Sequence, residues 1–167
     1  MKKRIALLVY PNFSLQEVSN LMWLFRWYYD TMSEVVYTEK EAVMSEEGIF
    51  VYPQKTCEEF QVEDYDCLIL PGCSDTRQAI QNKKLKSFLE RFSGIKDFII
   101  GAICSGPMFL AQAGLLKEKK YILLFIWGFM HESKSMNIKL LNIDVIFKVV
   151  RKFEKDRRLQ TCLFKMY

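Results

Sequence analysis

The stretch GAICSGPMFLAQAGLL, residues 101–116, places a cysteine at a tight corner between an apolar run and a helical period. Gly101 and Gly106 lack the Cβ atoms that would crowd a sharp turn, and Pro107 suits the first turn of a helix. Such a corner is similar to a nucleophile elbow, which lifts one side chain above the end of a strand. A helix N-terminus favours thiolate and lowers the pKa of a thiol from about 8.5. We therefore predict that Cys104 is a nucleophile; the alternative is a buried cysteine that fills the strand end.

Backbone donors are expected near the same corner. The segment PGCSD follows the apolar run CLIL and places Gly72 and Cys73 just after a buried strand. We expect the free N–H groups of Gly72 and Cys73, together with the N–H of Ser105, to point at whatever the sulfur attacks. These donors would form an oxyanion hole.

Glu17 has two interpretations. Ser14-Leu15-Gln16-Glu17 matches the capping box S-x-x-E, in which the glutamate only ties back to the first N–H groups of a helix. In the functional interpretation the carboxyl group lies above the same sheet edge, near the sulfur, as an acid or base. Because a protonated Glu17 would donate to a thiolate and stabilise it, whereas an ionised one would repel it, we expect the functional form of Glu17 to be protonated. The pattern alone favours the cap.

Apolar runs alternate along the chain with segments of helical periodicity. The predicted strands cover residues 4–10, 33–38, 66–72 and 97–103, the predicted helices cover residues 14–29, 75–92 and 107–114, and EAVMSEEGIFVYP predicts a hairpin that turns at Glu47-Gly48. Strands that are apolar on both faces and separated by helices imply a mostly parallel sheet covered on both sides. The predicted fold class is therefore a doubly wound α/β domain, in which functional residues gather at the carboxyl edge of the sheet.

The segments ILPGC and GAICSGPMFLAQAGLLK, with a glutamate at the start of the first helix, resemble the DJ-1/PfpI family, which is related to class I glutamine amidotransferases. The resemblance covers about residues 3–121. It implies a flavodoxin-like sandwich and a homodimer, with Cys104 as the reactive cysteine and Glu17 as the glutamate that hydrogen-bonds it. It also implies that Gly72, Cys73 and Ser105 supply the backbone donors. Cys73 stands where the family usually has a second glycine, so its backbone must avoid a conformation that only glycine tolerates.

The chain also departs from the family. Its one histidine, His131, lies in a stretch that does not resemble the family's usual continuation, so proteolysis by a Cys-His pair loses support. Two functions remain. The first is a cysteine-dependent hydrolase or lyase that acts on a small electrophile, similar to an α-oxoaldehyde glyoxalase, a deglycase or a hydratase. The second is an oxidative-stress sensor. The alternatives are a non-catalytic ligand-sensing or chaperone-like module and a truncated, inactive product.

Composition sets further limits on a chain of 167 residues. The length indicates a single domain, and the lack of a long apolar run indicates no membrane span and a cytoplasmic location. The odd number of cysteines, without a C-x-x-C pair, argues against a disulfide framework and a zinc site. We expect no metal and no cofactor. We expect Cys57 and Cys67 to lie in the core, since free cysteine is among the most buried residue types. The basic stretches are interleaved with acids, which argues against nucleic-acid binding.

The net charge of the chain and its resemblance to the DJ-1/PfpI family both change near Tyr121. Residues 1–116 hold 12 Lys/Arg and 15 Asp/Glu, a sum of −3, whereas residues 117–167 hold 12 and 5, a sum of +7. We hypothesise that residues 122–167 are an out-of-frame tail that does not supply the family's last strands, which would leave a marginal fold. The alternative is a divergent but real end, because Leu141, Val145, Val149 and Phe153 recur at helical spacing.

The first helix carries more aromatic surface than one core-facing stripe can bury. Its aromatic residues are Trp23, Trp27, Tyr28 and Tyr29. Because aromatic anchors are enriched at interfaces, they favour a homodimer, and the alternative is that they pack under the hairpin.

Overall fold

The computed structural model describes residues 4–117. Its strands are β1 (Arg4–Leu8), β2 (Met32–Tyr37), β3 (Val43–Met44), β4 (Phe50–Val51), β5 (Lys55–Thr56), β6 (Cys67–Leu70) and β7 (Ile99–Ala102). Its helices are α1 (Leu15–Tyr28), α2 (Thr76–Gln81), α3 (Lys83–Glu90) and α4 (Pro107–Gln112), with a 3-10 turn at Val62–Asp64. The predictions about the tail, its amphipathic helix, His131 and Cys162 lie outside these residues.

Five strands form one sheet in the order β5-β2-β1-β6-β7, and every pair in it is parallel. The predicted flavodoxin-like, mostly parallel α/β fold is confirmed. The chain moves from β1 outwards to β2 and β5, and then returns to the other side of β1 as β6. This reversal makes a topological switch point between β1 and β6, where a crevice opens outside the carboxyl ends of the strands.

The central strands are the most deeply buried part of the sheet. All four residues of β6 are buried, as are residues 5–8 of β1, which fits strands that are apolar on both faces. Cys57 and Cys67 lie in the core at 4% and 0% exposure, as predicted. Strand β7 is only partly buried and forms one edge of the sheet within the described residues. No helix among them is long and apolar enough to cross a membrane.

The predicted helix over residues 75–92 is two helices. Asn82 takes an extended conformation between α2 and α3, with ψ at 103°, and its side chain accepts a hydrogen bond from the N–H of Leu85. Asparagine favours caps over helix interiors because its side chain competes for backbone groups. The cap therefore ends one helix and begins the next.

The N-terminus of α1 is capped from the hairpin formed by β3 and β4. The side chain of Ser14 makes no capping hydrogen bond, so the capping-box interpretation of Glu17 is wrong. The carboxylate of Glu47, at the predicted hairpin turn, instead accepts from the N–H groups of Leu15 and Gln16 at 3.1 and 2.8 Å. These bonds join the hairpin to α1 and leave Glu17 available for another partner.

Replacing the capping carboxylate tests this junction. Burial raises the pKa of Glu47, but the hydrogen bonds that its carboxylate accepts, including those from Leu15 and Gln16, outweigh burial and lower the pKa from 4.5 to about 2. A pKa that is lower in the folded chain adds stability above about pH 4.5, and that stability is lost as the pH falls towards 2. We expect Glu47→Gln to lower the free energy of unfolding by about 0.5–1 kcal/mol near neutral pH, a modest loss because water screens this exposed group.

Urea unfolding at neutral pH and at about pH 3 measures the effect, which should shrink at the lower pH. Glu41→Gln, at another exposed position, is the matched control and should cost less. An equal loss for both variants would contradict the capping role.

Candidate active site

Three loops meet at the carboxyl edge of the sheet, beside the switch point. Leu70 pairs with Ala102 at the ends of β6 and β7, and the loops that follow bring Gly72 and Cys104 into contact. Helix α1, which follows β1, brings Glu17 to the same place. The structure therefore brings together the cysteine, the glutamate and the glycine that the sequence singles out.

Cys104 lies on a strained turn between β7 and α4. Its φ is +51°, in the left-handed region that favours glycine, and such strain in a non-glycine residue is typical of functional corners. A Cβ on Gly106 would lie 2.9 Å from the carbonyl oxygens of Ile103 and Leu70, so only glycine fits there. Pro107 is the first residue of α4. The predicted elbow geometry is confirmed.

Gly72 is in contact with both candidate catalytic side chains. Its N–H donates to Oε2 of Glu17 at 2.6 Å, and its carbonyl accepts from the N–H of Ser14 at 2.8 Å. A Cβ at Gly72 would lie 2.8 Å from Cβ of Cys104 and 2.8 Å from Oε2 of Glu17. The absence of a side chain at Gly72 is thus what allows the cysteine and the carboxylate to approach each other.

The thiol of Cys104 is hydrogen-bonded to the side chain of Glu17. Burial, followed by the charge and hydrogen bond of Glu17, raises the pKa of Cys104 to about 11, while the N–H of Ser105 acts in the opposite direction. The predicted fall in the pKa of Cys104 is therefore wrong for this arrangement, because the carboxylate and burial outweigh the backbone donor. The resting sulfur is a thiol beside a potential proton acceptor, so this arrangement does not favour the expected thiolate beside a protonated Glu17.

Two of the three predicted oxyanion-hole donors already have hydrogen-bond partners. The N–H of Gly72 donates to Glu17, and the N–H of Cys73 donates to Oγ of Ser105 at 2.9 Å. The expectation that these two N–H groups are free is therefore wrong. Both are satisfied by side chains, and most buried N–H groups in proteins are likewise hydrogen-bonded. The N–H of Ser105 bonds the Cys104 sulfur and is the donor that remains directed at the reacting atom. Cys73 itself avoids the left-handed region, as required for a residue with a side chain.

Tyr10, which the sequence analysis does not single out, holds the loop that contains Gly72. Its side chain is fully buried, its hydroxyl donates to the carbonyl of Pro71, and its ring packs on Phe109 with centroids 4.6 Å apart. The bond holds the residue before Gly72, and the ring contact joins this loop to α4. A tyrosine at the end of an apolar strand is the available signal, since a buried hydroxyl needs a partner.

The described residues include no histidine and no cluster of side chains that could hold a metal ion. Within them, the carboxyl group of Glu17 is hydrogen-bonded to the thiol of Cys104.

Comparison with known proteins points to one family. The model of the DJ-1/PfpI family matches residues 3–124. Among curated proteins, DJ-1 protein homolog E of Arabidopsis thaliana is 36% identical over 59 residues, 35% of this chain and 15% of that protein. An uncharacterised protein of Methanocaldococcus jannaschii is 31% identical over 88 residues, 52% of this chain and 42% of that protein. The matches thus span less than half the length of these curated relatives.

Solved structures agree in fold. A ThiJ/PfpI family protein from Pseudomonas syringae has a TM-score of 0.65 and 26% identity, covering 74% of this chain and 50% of that one. A cysteine-to-alanine variant of a DJ-1 superfamily protein from Salmonella typhimurium has a TM-score of 0.62 and 26% identity, with coverages of 72% and 66%. Each of these proteins therefore shares its fold with almost three quarters of this chain.

Proposed function

Because the chain belongs to the DJ-1/PfpI family, we propose that it is a cysteine-dependent enzyme in which Cys104 attacks small carbonyl electrophiles and Glu17 receives the thiol proton. The observation that carries the proposal is the hydrogen bond between the Cys104 thiol and Glu17 on a strained elbow. A thiol with a raised pKa is a weak nucleophile unless a base removes its proton during attack. Glu17 lies within hydrogen-bond reach of that proton, the first requirement for a general base.

The proposed first step is addition to the aldehyde carbon of an α-oxoaldehyde. The sulfur of Cys104 forms a bond to that carbon, the C=O electron pair moves to the oxygen, and the thiol proton passes to Glu17. Returning the proton to the oxygen gives a hemithioacetal. The N–H of Ser105 lies beside the reacting sulfur and supports the developing oxyanion.

The proposed overall reaction adds water to the α-oxoaldehyde and yields a 2-hydroxy acid. From the hemithioacetal, the proton on the former aldehyde carbon moves to the neighbouring carbonyl carbon, a transfer for which Glu17 is the candidate carrier, and the hydroxyl proton moves to the oxygen of that carbonyl. The result is a thioester of the 2-hydroxy acid, and water hydrolyses it to release the acid and restore the Cys104 thiol. All these steps need one thiol, one carboxyl group and water, which accords with a site that lacks a histidine among the described residues. The four cysteines of this part of the chain are thiols, which supports action in a reducing compartment such as the cytoplasm.

A turnover assay with methylglyoxal or glyoxal tests the proposal. We expect 2-hydroxy acid to form with the purified chain and Cys104→Ser to reduce its formation to the uncatalysed rate, because a hydroxyl is a poorer nucleophile and leaving group. Cys57→Ser, at a buried cysteine away from the elbow, is the matched control and should retain activity. Equal rates for the chain and Cys104→Ser would favour a non-catalytic ligand-sensing or chaperone-like module.

We also propose that the chain forms a homodimer through an aromatic patch on α1, defined as Trp23, Trp27 and Tyr28. These side chains are 54%, 71% and 48% exposed, so they do not pack under the hairpin, whereas Tyr29 is buried. The Trp23 and Tyr28 rings already contact each other edge-on at 5.6 Å. Preformed aromatic surface of this kind is typical of interface anchors.

Light scattering of the full chain at tens of micromolar tests the dimer. We expect Trp27→Lys to give a monomer, because a charge in the centre of an apolar interface loses its water without gaining a partner. Tyr52→Lys, on the segment after β4 and equally exposed at 71%, is the matched control and should stay dimeric. A wild-type monomer, or dimers of both variants, would contradict the proposed patch.

A further inference from the structure

A second thiol lies next to the candidate nucleophile. Of the four described cysteines, Cys57 and Cys67 are buried, whereas Cys73 and Cys104 are both partly exposed. The two exposed thiols follow neighbouring strands and belong to the same edge of the sheet. Cys73 therefore differs from an ordinary core cysteine in both exposure and position.

The loops that follow β6 and β7 bring the two cysteines close together. A Cβ at Gly72 would lie 2.8 Å from Cβ of Cys104, and Cys73 is the next residue of the same loop. The N–H of Cys73 donates to Oγ of Ser105, the residue after Cys104, at 2.9 Å. Neighbours of this kind are candidates for a disulfide, which needs a Cα separation of about 4.4–6.8 Å.

Ser105 contacts both cysteines and joins them into one cluster. Its N–H bonds the sulfur of Cys104. Its hydroxyl oxygen accepts from the N–H of Cys73 at 2.9 Å. The same hydroxyl donates to Sγ of Cys73 at 3.9 Å. Burial raises the pKa of Cys73 to about 12, and the Ser105 hydroxyl acts in the opposite direction. The charge of Cys104 also contributes to the raised pKa of Cys73.

We propose that Cys73 is a resolving thiol, which converts an oxidised Cys104 into a Cys73–Cys104 disulfide after reaction with a hydroperoxide. The proposal rests on the proposed reactivity of Cys104. Exposed redox-sensitive cysteines are often placed beside such a second thiol. Cys73 occupies its position without backbone strain, since its φ is not positive.

Oxidation would take place in two balanced steps. First, the Cys104 sulfur attacks one peroxide oxygen, the O–O bond breaks, and the thiol proton, carried by Glu17, leaves with the departing oxygen as water or alcohol. Cys104 is then a sulfenic acid, oxidised by two electrons. Second, the Cys73 sulfur attacks the Cys104 sulfur, the S–O bond breaks, and hydroxide leaves with the Cys73 proton as water. With hydrogen peroxide, two thiols and one peroxide give one disulfide and two waters.

The test exposes the full chain to equimolar hydrogen peroxide in the presence or absence of dimedone, a trap for sulfenic acid. Free thiols are then alkylated and peptides are mapped without reduction. We expect a Cys73–Cys104 disulfide in the wild type. Cys73→Gly, which restores the usual family residue, should give no disulfide and about tenfold more dimedone adduct on Cys104, because nothing consumes the sulfenic acid. Cys57→Ser is the matched control and should behave as the wild type.

The possible failures are distinguishable. A dimedone adduct on Cys104 that is equally abundant in the wild type and Cys73→Gly overturns the resolving role and leaves the reactive cysteine in place. A disulfide between Cys104 and Cys162, or between two copies of the chain, also overturns the role of Cys73. Absence of any oxidation at Cys104 in Cys73→Gly overturns both this inference and the proposed reactivity of Cys104.

Discussion

The hydrogen bond from the N–H of Gly72 to the carboxyl group of Glu17 is the interaction on which the candidate site depends. Through its carbonyl the same glycine holds Ser14 at the start of α1, so one residue fixes both the helix and the side chain that the helix presents. Its missing side chain leaves room for the Cβ of Cys104. The buried hydroxyl of Tyr10, bonded to Pro71, in turn holds the loop in place.

This geometry makes the proton between sulfur and carboxyl group the central chemical feature. Burial and Glu17 raise the pKa of Cys104 to about 11, which keeps the resting sulfur protonated at neutral pH. In the proposed mechanism, reactivity depends on moving the proton to Glu17 during attack rather than on a standing thiolate, and it needs no histidine. In the proposed oxidation, the neighbouring Cys73 gives the same sulfur a second outcome, a disulfide in place of addition to a carbonyl carbon.

Much of the fold could be predicted from the sequence because it follows from the order of residues within short segments. The alternation of apolar strands with helical periods predicts the parallel sheet, and the Gly-Pro spacing around Cys104 predicts the elbow. The errors lie where a distant residue overrides a local pattern. Glu47, thirty-two residues beyond Leu15, caps α1 in place of Ser14, so the S-x-x-E pattern is misleading. The partners of the Gly72 and Cys73 N–H groups also come from other loops. The same holds for the pKa of Cys104, which is set by contacts that no spacing along the chain reveals.

Methylglyoxal turnover near neutral pH, measured in the wild type and in Glu17→Gln beside the rate of Cys104 alkylation, tests the central claim most directly. Glutamine keeps the size and can still accept from Gly72, but it carries no charge and cannot take the thiol proton. Because the repelling charge is gone, the alkaline rise in iodoacetamide modification should move below the wild-type value of about 11, and Cys104 should be alkylated faster near neutral pH. If Glu17 is the base, the same variant should nevertheless turn over methylglyoxal roughly a hundredfold more slowly. Turnover by Glu17→Gln that equals or exceeds that of the wild type would mean that Glu17 only suppresses the thiolate, and it would contradict the account.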